Sequence, residues 1–60
     1  MNTKKICKMV DKNQWVIIEK TNGYRLKGKI TSCDDDGVVL TGFIIAVTLP
    51  FSIIKSVEVL

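Results

Sequence analysis

Histidine is absent from the sixty residues of this chain, cysteine occurs twice, and proline and tryptophan occur once each. Each shortage excludes something. Without imidazole there is no His-bearing zinc site and no histidine general base at neutral pH. Two thiols cannot build the dense disulfide framework of small secreted domains. Cys7 and Cys33 are expected to stay reduced, with Cys33 serving as a small buried filler. No hydrophobic run reaches the roughly 18 residues of a spanning helix. The most apolar stretch, Phe43 to Ile54, is shorter and is interrupted by Pro50. No apolar segment of suitable length follows the basic start to form a signal peptide. A cytoplasmic protein with no membrane association is the expectation. Acid–base constellations and glycine-rich nucleotide loops are also missing, which argues against an enzyme and leaves no cofactor and no metal to be expected.

The composition is otherwise globular, 47% apolar and 25% charged. The length accommodates one domain, residues 1–60. A domain this small buries only about 60% of its unfolded surface, so some staple is needed, and oligomerisation is the expected one. The net charge of +3 is unevenly spread. Lys4, Lys5, Lys8 and Lys12 against Asp11 place all of it in residues 1–12, while residues 13–60 balance to zero. A basic end of this kind attracts nucleic acid or another anionic surface.

Ile6, Met9 and Val10 recur at helical spacing between lysines, with Asn2 or Thr3 available as a cap, which predicts a short amphipathic helix within residues 1–13. From Trp15 onward, residues 15–60, the signal is β. Residues 15–20 are rich in strand formers, and Asn22-Gly23 is a hairpin signal. The alternating run from Tyr24 to Cys33 directs Leu26 and Ile30 one way and Arg25, Lys27, Lys29 and Thr31 the other. Gly28 falls on the inward face at mid-strand, where glycine marks a bend or bulge. Asp34-Asp35-Asp36-Gly37 predicts a turn, and strands are expected at 38–40, 43–49 and 53–60. Trp15 is expected to pack where helix meets barrel. The last two strands are apolar on both faces, which predicts that they are covered on both faces, most economically by pairing of edges between copies of the chain.

These residues, in this order, resemble the Hfq-like branch of the Sm-like RNA-binding proteins. The likeness is carried by Val16-x-Ile18, Asn22-Gly23-Tyr24-x-Leu26-x-Gly28-x-Ile30, Asp34, Val38-x-Leu40 and Ile54-x-Ser56-Val57, spanning roughly Lys8 to Val59. The resemblance implies a mainly β fold: a short N-terminal α-helix, then a five-stranded, strongly bent antiparallel SH3-like (Sm-type) barrel. It implies a homo-oligomeric ring, usually a hexamer, joined through the fourth and fifth strands, with Ile44, Ile45, Val47, Ile54 and Val57 as the candidate interface. The partner it implies is single-stranded RNA, a small regulatory RNA or an mRNA, bound in the manner of a riboregulator or RNA chaperone.

Two faces are candidates for that RNA. On the face the family uses for adenine-rich RNA lie Gly23, Tyr24, Arg25, Leu26, Lys27, Lys55 and Ser56, with Tyr24 as the base-stacking residue. On the helix side lie Lys8, Lys12, Phe51 and Ser52 as a weaker set. Phe51 and Ser52 replace the family's Lys-His pair, and Asp35 and Asp36 place extra carboxylates beside them, so A-rich RNA is expected over U-rich RNA. Glu19 stands where the family often carries an aromatic residue. The same substitutions frame an alternative: an oligomeric interaction module of the same fold that has lost RNA binding.

Overall fold

In the computed structural model, which describes residues 2–60, a short helix precedes five antiparallel strands. Helix α1 covers Thr3–Cys7, and Asn2 caps it: the Lys5 backbone N–H donates to Asn2 Oδ1 at 3.2 Å. The helix is shorter than its apolar spacing suggests. Beyond Lys8 the chain makes tight turns, and Asp11 (φ 69°) and Asn13 (φ 55°) take left-handed backbone that ends any helical continuation. Ile6 is buried in the core, with Met9 and Val10 packed against it, so the predicted apolar face survives although only part of it is helical.

The strands are β1 (Val16–Lys20), β2 (Arg25–Cys33), β3 (Gly37–Thr41), β4 (Ala46–Pro50) and β5 (Ile54–Val59), with a short 3-10 turn at Phe51–Ile53 before β5. They form one sheet in the order β4-β3-β2-β1-β5. The sheet is not closed: β4 and β5 are its outer strands and pair only with β3 and β1.

The long β2 organises the whole. Its first half pairs with β1 as far as Val16↔Gly28, and its second half pairs with β3 from Lys29↔Thr41 onward. The strand changes partners at Gly28. A side chain there would lie 2.7 Å from the Thr41 carbonyl oxygen and 3.0 Å from Leu40 Cγ, so only glycine permits this close approach. Where a bend or bulge is expected, the structure shows this change of partner. The register shift falls just beyond it, between Ile30 and Ser32, leaving Thr31 outside the pairing.

The Asn22-Gly23 hairpin also forms, as a four-residue connection between Lys20 and Arg25. Gly23 has φ +91° and its N–H donates to the Lys20 carbonyl at 2.9 Å, while Asn22 keeps negative φ and accepts from the Tyr24 N–H at 3.1 Å. At the second turn, Asp34 Oδ1 accepts from the backbone N–H groups of Asp36 (2.8 Å) and Gly37 (3.0 Å). The aspartate run thus works as turn chemistry.

Val16, Ile18, Ile30, Val38, Leu40, Leu49 and Ile54 join Ile6 in the core, which holds no buried polar or charged side chain among the described residues. Three expectations change. First, β4 begins at Ala46: Phe43, Ile44 and Ile45 form the β3–β4 connection and are exposed, Ile44 at 98%. Their apolar character imitates a strand, yet they belong to no strand pairing: the Ile45 carbonyl accepts only from the Gly42 N–H within the connection itself, at 2.8 Å. Second, Trp15 packs against Phe43 of that connection rather than at the helix–sheet junction. Third, Cys7 and Cys33 are joined in a disulfide, with Cα atoms 5.4 Å apart. The helix lies against the end of β2 and brings together two residues separated by 26 positions, a proximity that spacing alone does not reveal. The bond is a covalent staple within one chain, where oligomerisation was the expected one. The expectation that Cys7 and Cys33 stay reduced is thereby corrected. No described helix is long and apolar enough to cross a membrane.

Candidate nucleic-acid interface

Alternation along β2 sorts its side chains between two faces. Leu26 is half-buried against the core and Ile30 is buried, while Arg25 and Lys27 are exposed on the opposite face and Lys29 is half-exposed there. The predicted A-rich RNA face is assembled around the turn end of the β1–β2 hairpin. Gly23 is exposed in the turn, and Tyr24, 71% exposed, offers its ring to solvent. Arg25 lies opposite Glu19, which lies opposite Ser56 of β5. Lys55 joins them, so Arg25, Lys55 and Ser56 come together across three strands as expected.

Their electrostatics are set by Glu19. Its carboxylate lies 3.7 Å from Arg25 Nη2 and 3.5 Å from Lys55 Nζ. One acid is shared between two exposed cations, leaving the trio at +1. Exposed pairs of this kind are individually weak, but they oppose an incoming phosphate. Leu26, with its side chain turned toward the core, contributes backbone and packing to this face.

Lys27 belongs elsewhere. Its ammonium lies over the Trp15 ring, 6.0 Å from the centroid, and Lys29 Nζ lies over the same ring at 5.1 Å. Phe43 stacks on Trp15 with centroids 4.8 Å apart and a 35° tilt. Asn13, Gln14, Trp15, Lys27, Phe43 and Leu60 line an open cleft of about 510 Å³. The register explains the grouping. Since β2 passes from β1 to β3 at Gly28, the residue before Val16 and the residues after Thr41 converge on Lys27 and Lys29, the two side chains flanking the switch. Trp15 and Phe43 stand outside the predicted site set, while Lys29 is one of the cations expected on the same face of β2 as Arg25 and Lys27. The signal that finds them is the partner change at Gly28, read together with strand register.

The helix-side set is only partly brought together. Lys8 and Phe51 share a cleft of about 400 Å³ with Thr3, Lys4, Cys7, Asp34 and Asp35, while Lys12 and Ser52 lie outside it. Phe51 is half-buried against the core, and its N–H donates to the Asp36 carbonyl at 2.8 Å. Two carboxylates facing two lysines give this cleft little attraction for phosphate.

The interface candidates divide in the same way. Ile44 and Ile45 are exposed; Val47 and Val57 are half-buried against the core; Ile54 is spent inside its own chain at 4% exposure and has no side-chain surface to offer a neighbour. Compared with models of known protein families and with curated proteins, the chain gives no match.

Proposed function

We propose that this chain is a ring-forming, Hfq-like protein of the Sm type that binds single-stranded RNA, with A-rich segments preferred over U-rich ones. On this reading the open sheet is a bent barrel completed by its neighbours. The observation that carries the proposal is the pair of unpaired outer edges on β4 and β5, beside an exposed apolar Ile44-Ile45 segment. Free strand edges next to exposed aliphatic side chains invite pairing, and an edge of one kind meeting an edge of the other repeats head-to-tail until a ring closes. The resemblance built on Asn22-Gly23, Gly28 and the strand order supports the same assembly. Exposed Tyr24 and the cations of β2 support RNA as the ligand, repeated around a ring so that weak pockets gain from effective concentration.

The test has two parts. Native mass spectrometry of the purified chain is expected to show a closed oligomer, and Ile44→Asp or Ile45→Asp is expected to dissociate it. Both side chains are exposed in the single chain, so the variants keep their fold and report on assembly alone. Binding of labelled oligo-A and oligo-U at two salt concentrations then reads the ligand: oligo-A affinity that falls with salt and is weakened in Tyr24→Ala is the expected result. An oligomer that binds neither RNA identifies the chain instead as an interaction module, a reading favoured by the way Glu19 occupies Arg25 and Lys55.

A further inference from the structure

Among the described residues, the cleft at the open end of the β1–β2 hairpin alone combines packed aromatic rings with cations that have no acidic partner. Trp15 is half-buried and supports Phe43, whose own ring is 90% exposed. The stack therefore ends in an open aromatic face. Lys27 and Lys29 hold their ammonium groups over Trp15, and among the described residues neither has a carboxylate within ion-pair distance; Lys29 donates instead to Asn13 Oδ1 at 2.6 Å. No acidic side chain lines the cleft, and Gln14 adds an amide to its wall. Lys29 reaches Trp15 from the neighbouring cleft, which it lines with Asp11, Asn13, Ile30 and Thr31.

A ligand complementary to these groups is flat and aromatic on one side and anionic on the other. A volume of about 510 Å³ falls within the usual range for small-molecule sites. A nucleotide meets all three requirements. We propose that this cleft is a nucleotide subsite for single-stranded RNA: a base continues the Trp15–Phe43 stack on the outer face of Phe43, and Lys27 and Lys29 meet the adjoining phosphates. The inference rests on the RNA-binding reading and adds a second contact to it, roughly 15 Å along β1 from the Tyr24 end of the hairpin. A strand of RNA crossing β2 would touch both.

Trp15 is the only tryptophan, so the site carries its own reporter. The assembled full-length protein is titrated with octa-adenylate while Trp15 emission and the anisotropy of labelled RNA are recorded together, with inorganic polyphosphate as an anion lacking bases. The expected result is saturable quenching by RNA in parallel with anisotropy, and none by polyphosphate. Phe43→Ala is expected to weaken binding roughly ten-fold and to reduce the quench. Its fold is not at stake, given the exposure of the ring. Lys27→Ala with Lys29→Ala is expected to flatten the log–log salt dependence by about 1.4. Tyr24→Ala is expected to keep the quench per bound RNA. RNA binding by anisotropy without a Trp15 response overturns the subsite and leaves the RNA-binding reading standing; absence of binding by both signals overturns both. Equal quenching by polyphosphate, or a Trp15 blue shift on phosphatidylserine vesicles without a response to RNA, overturns the subsite in favour of a plain anion site or a lipid surface.

Discussion

The two ends of the β1–β2 hairpin carry similar ingredients and differ in one respect. At the turn end, Tyr24 is exposed and Arg25 and Lys55 share the Glu19 carboxylate. At the open end, Phe43 is exposed and Lys27 and Lys29 lie over Trp15. A cation beside a carboxylate already has its counter-charge, and an incoming phosphate must compete for it. A cation over an aromatic face keeps its full charge and is held by a weak quadrupole contact. The count of lysines and arginines along β2 hides this difference; the neighbour of each cation reveals it. The open end is therefore the stronger candidate for anion binding, although the sequence pattern points first to the turn end.

The largest expected effect tests whether either end depends on the helix. Reducing Cys7–Cys33, or replacing both residues with serine, removes a cross-link between positions 26 apart. In the chain-entropy account such a link contributes about 3 kcal/mol, which in a domain this small shifts the melting temperature by more than roughly 10 °C. RNA affinity measured well below the new transition should stay unchanged, because neither end of the hairpin touches the disulfide. Calorimetry with and without reductant checks the first part and anisotropy the second. A next, smaller effect breaks the geometry that creates the open end. Gly28→Ala pushes a methyl group against the Thr41 carbonyl and Leu40, at a cost of about 1–3 kcal/mol by overpacking. As the strands separate there, Trp15 and Phe43 should lose their mutual stacking before Tyr24 is affected, visible as a change in the single tryptophan's emission.

A charge reversal sharpens the comparison further. Lys27→Glu with Lys29→Glu makes the open end more acidic than the turn end and should abolish the Trp15 quench by RNA. If the turn end contributes as well, weak binding that is sensitive to Tyr24→Ala should remain in anisotropy.

How much of this was legible without coordinates follows from the range of each interaction. A cap at Asn2 or Thr3, the Gly23 turn, the inward Gly28 and the alternation of β2 are local and can be read directly from the residues; the structure selects Asn2 as the cap. The order of the strands in the sheet depends on pairing between distant segments and is not read from them. The apolar Phe43-Ile44-Ile45 run misleads because hydrophobicity alone does not distinguish a paired strand from an exposed connection. The helix stops at Cys7 and passes into tight turns, and the left-handed backbone of Asp11 and Asn13 bars any later helical continuation, neither of which the apolar spacing reports. The disulfide, the Glu19 triad and the Trp15–Phe43 stack are all contacts between residues far apart or on different strands. They depend on register, which one misplaced residue would invert.

The finest test bears on Glu19 alone. Its carboxylate is the difference between the two ends that one substitution removes, since it sits within 4 Å of Arg25 and Lys55 while Lys27 and Lys29 have no such partner among the described residues. Glu19→Gln keeps the size and most of the packing of the side chain and removes its charge. Both cations of the lost pairs are exposed and Glu19 is half-buried, so stability should change by about 1 kcal/mol or less. Affinity for octa-adenylate should rise a few-fold at low salt and the salt dependence should steepen, because two cations are released to contact phosphate. The gain should shrink in Arg25→Ala, vanish when Lys55→Ala is added, and leave the Trp15 quench per bound RNA unchanged, since the affected cations lie at the other end of the hairpin. If Glu19→Gln leaves both affinity and salt dependence where they were, the turn end is not on the RNA path. The open end alone then carries the interaction, and the exposed ring of Tyr24 is a feature of the turn.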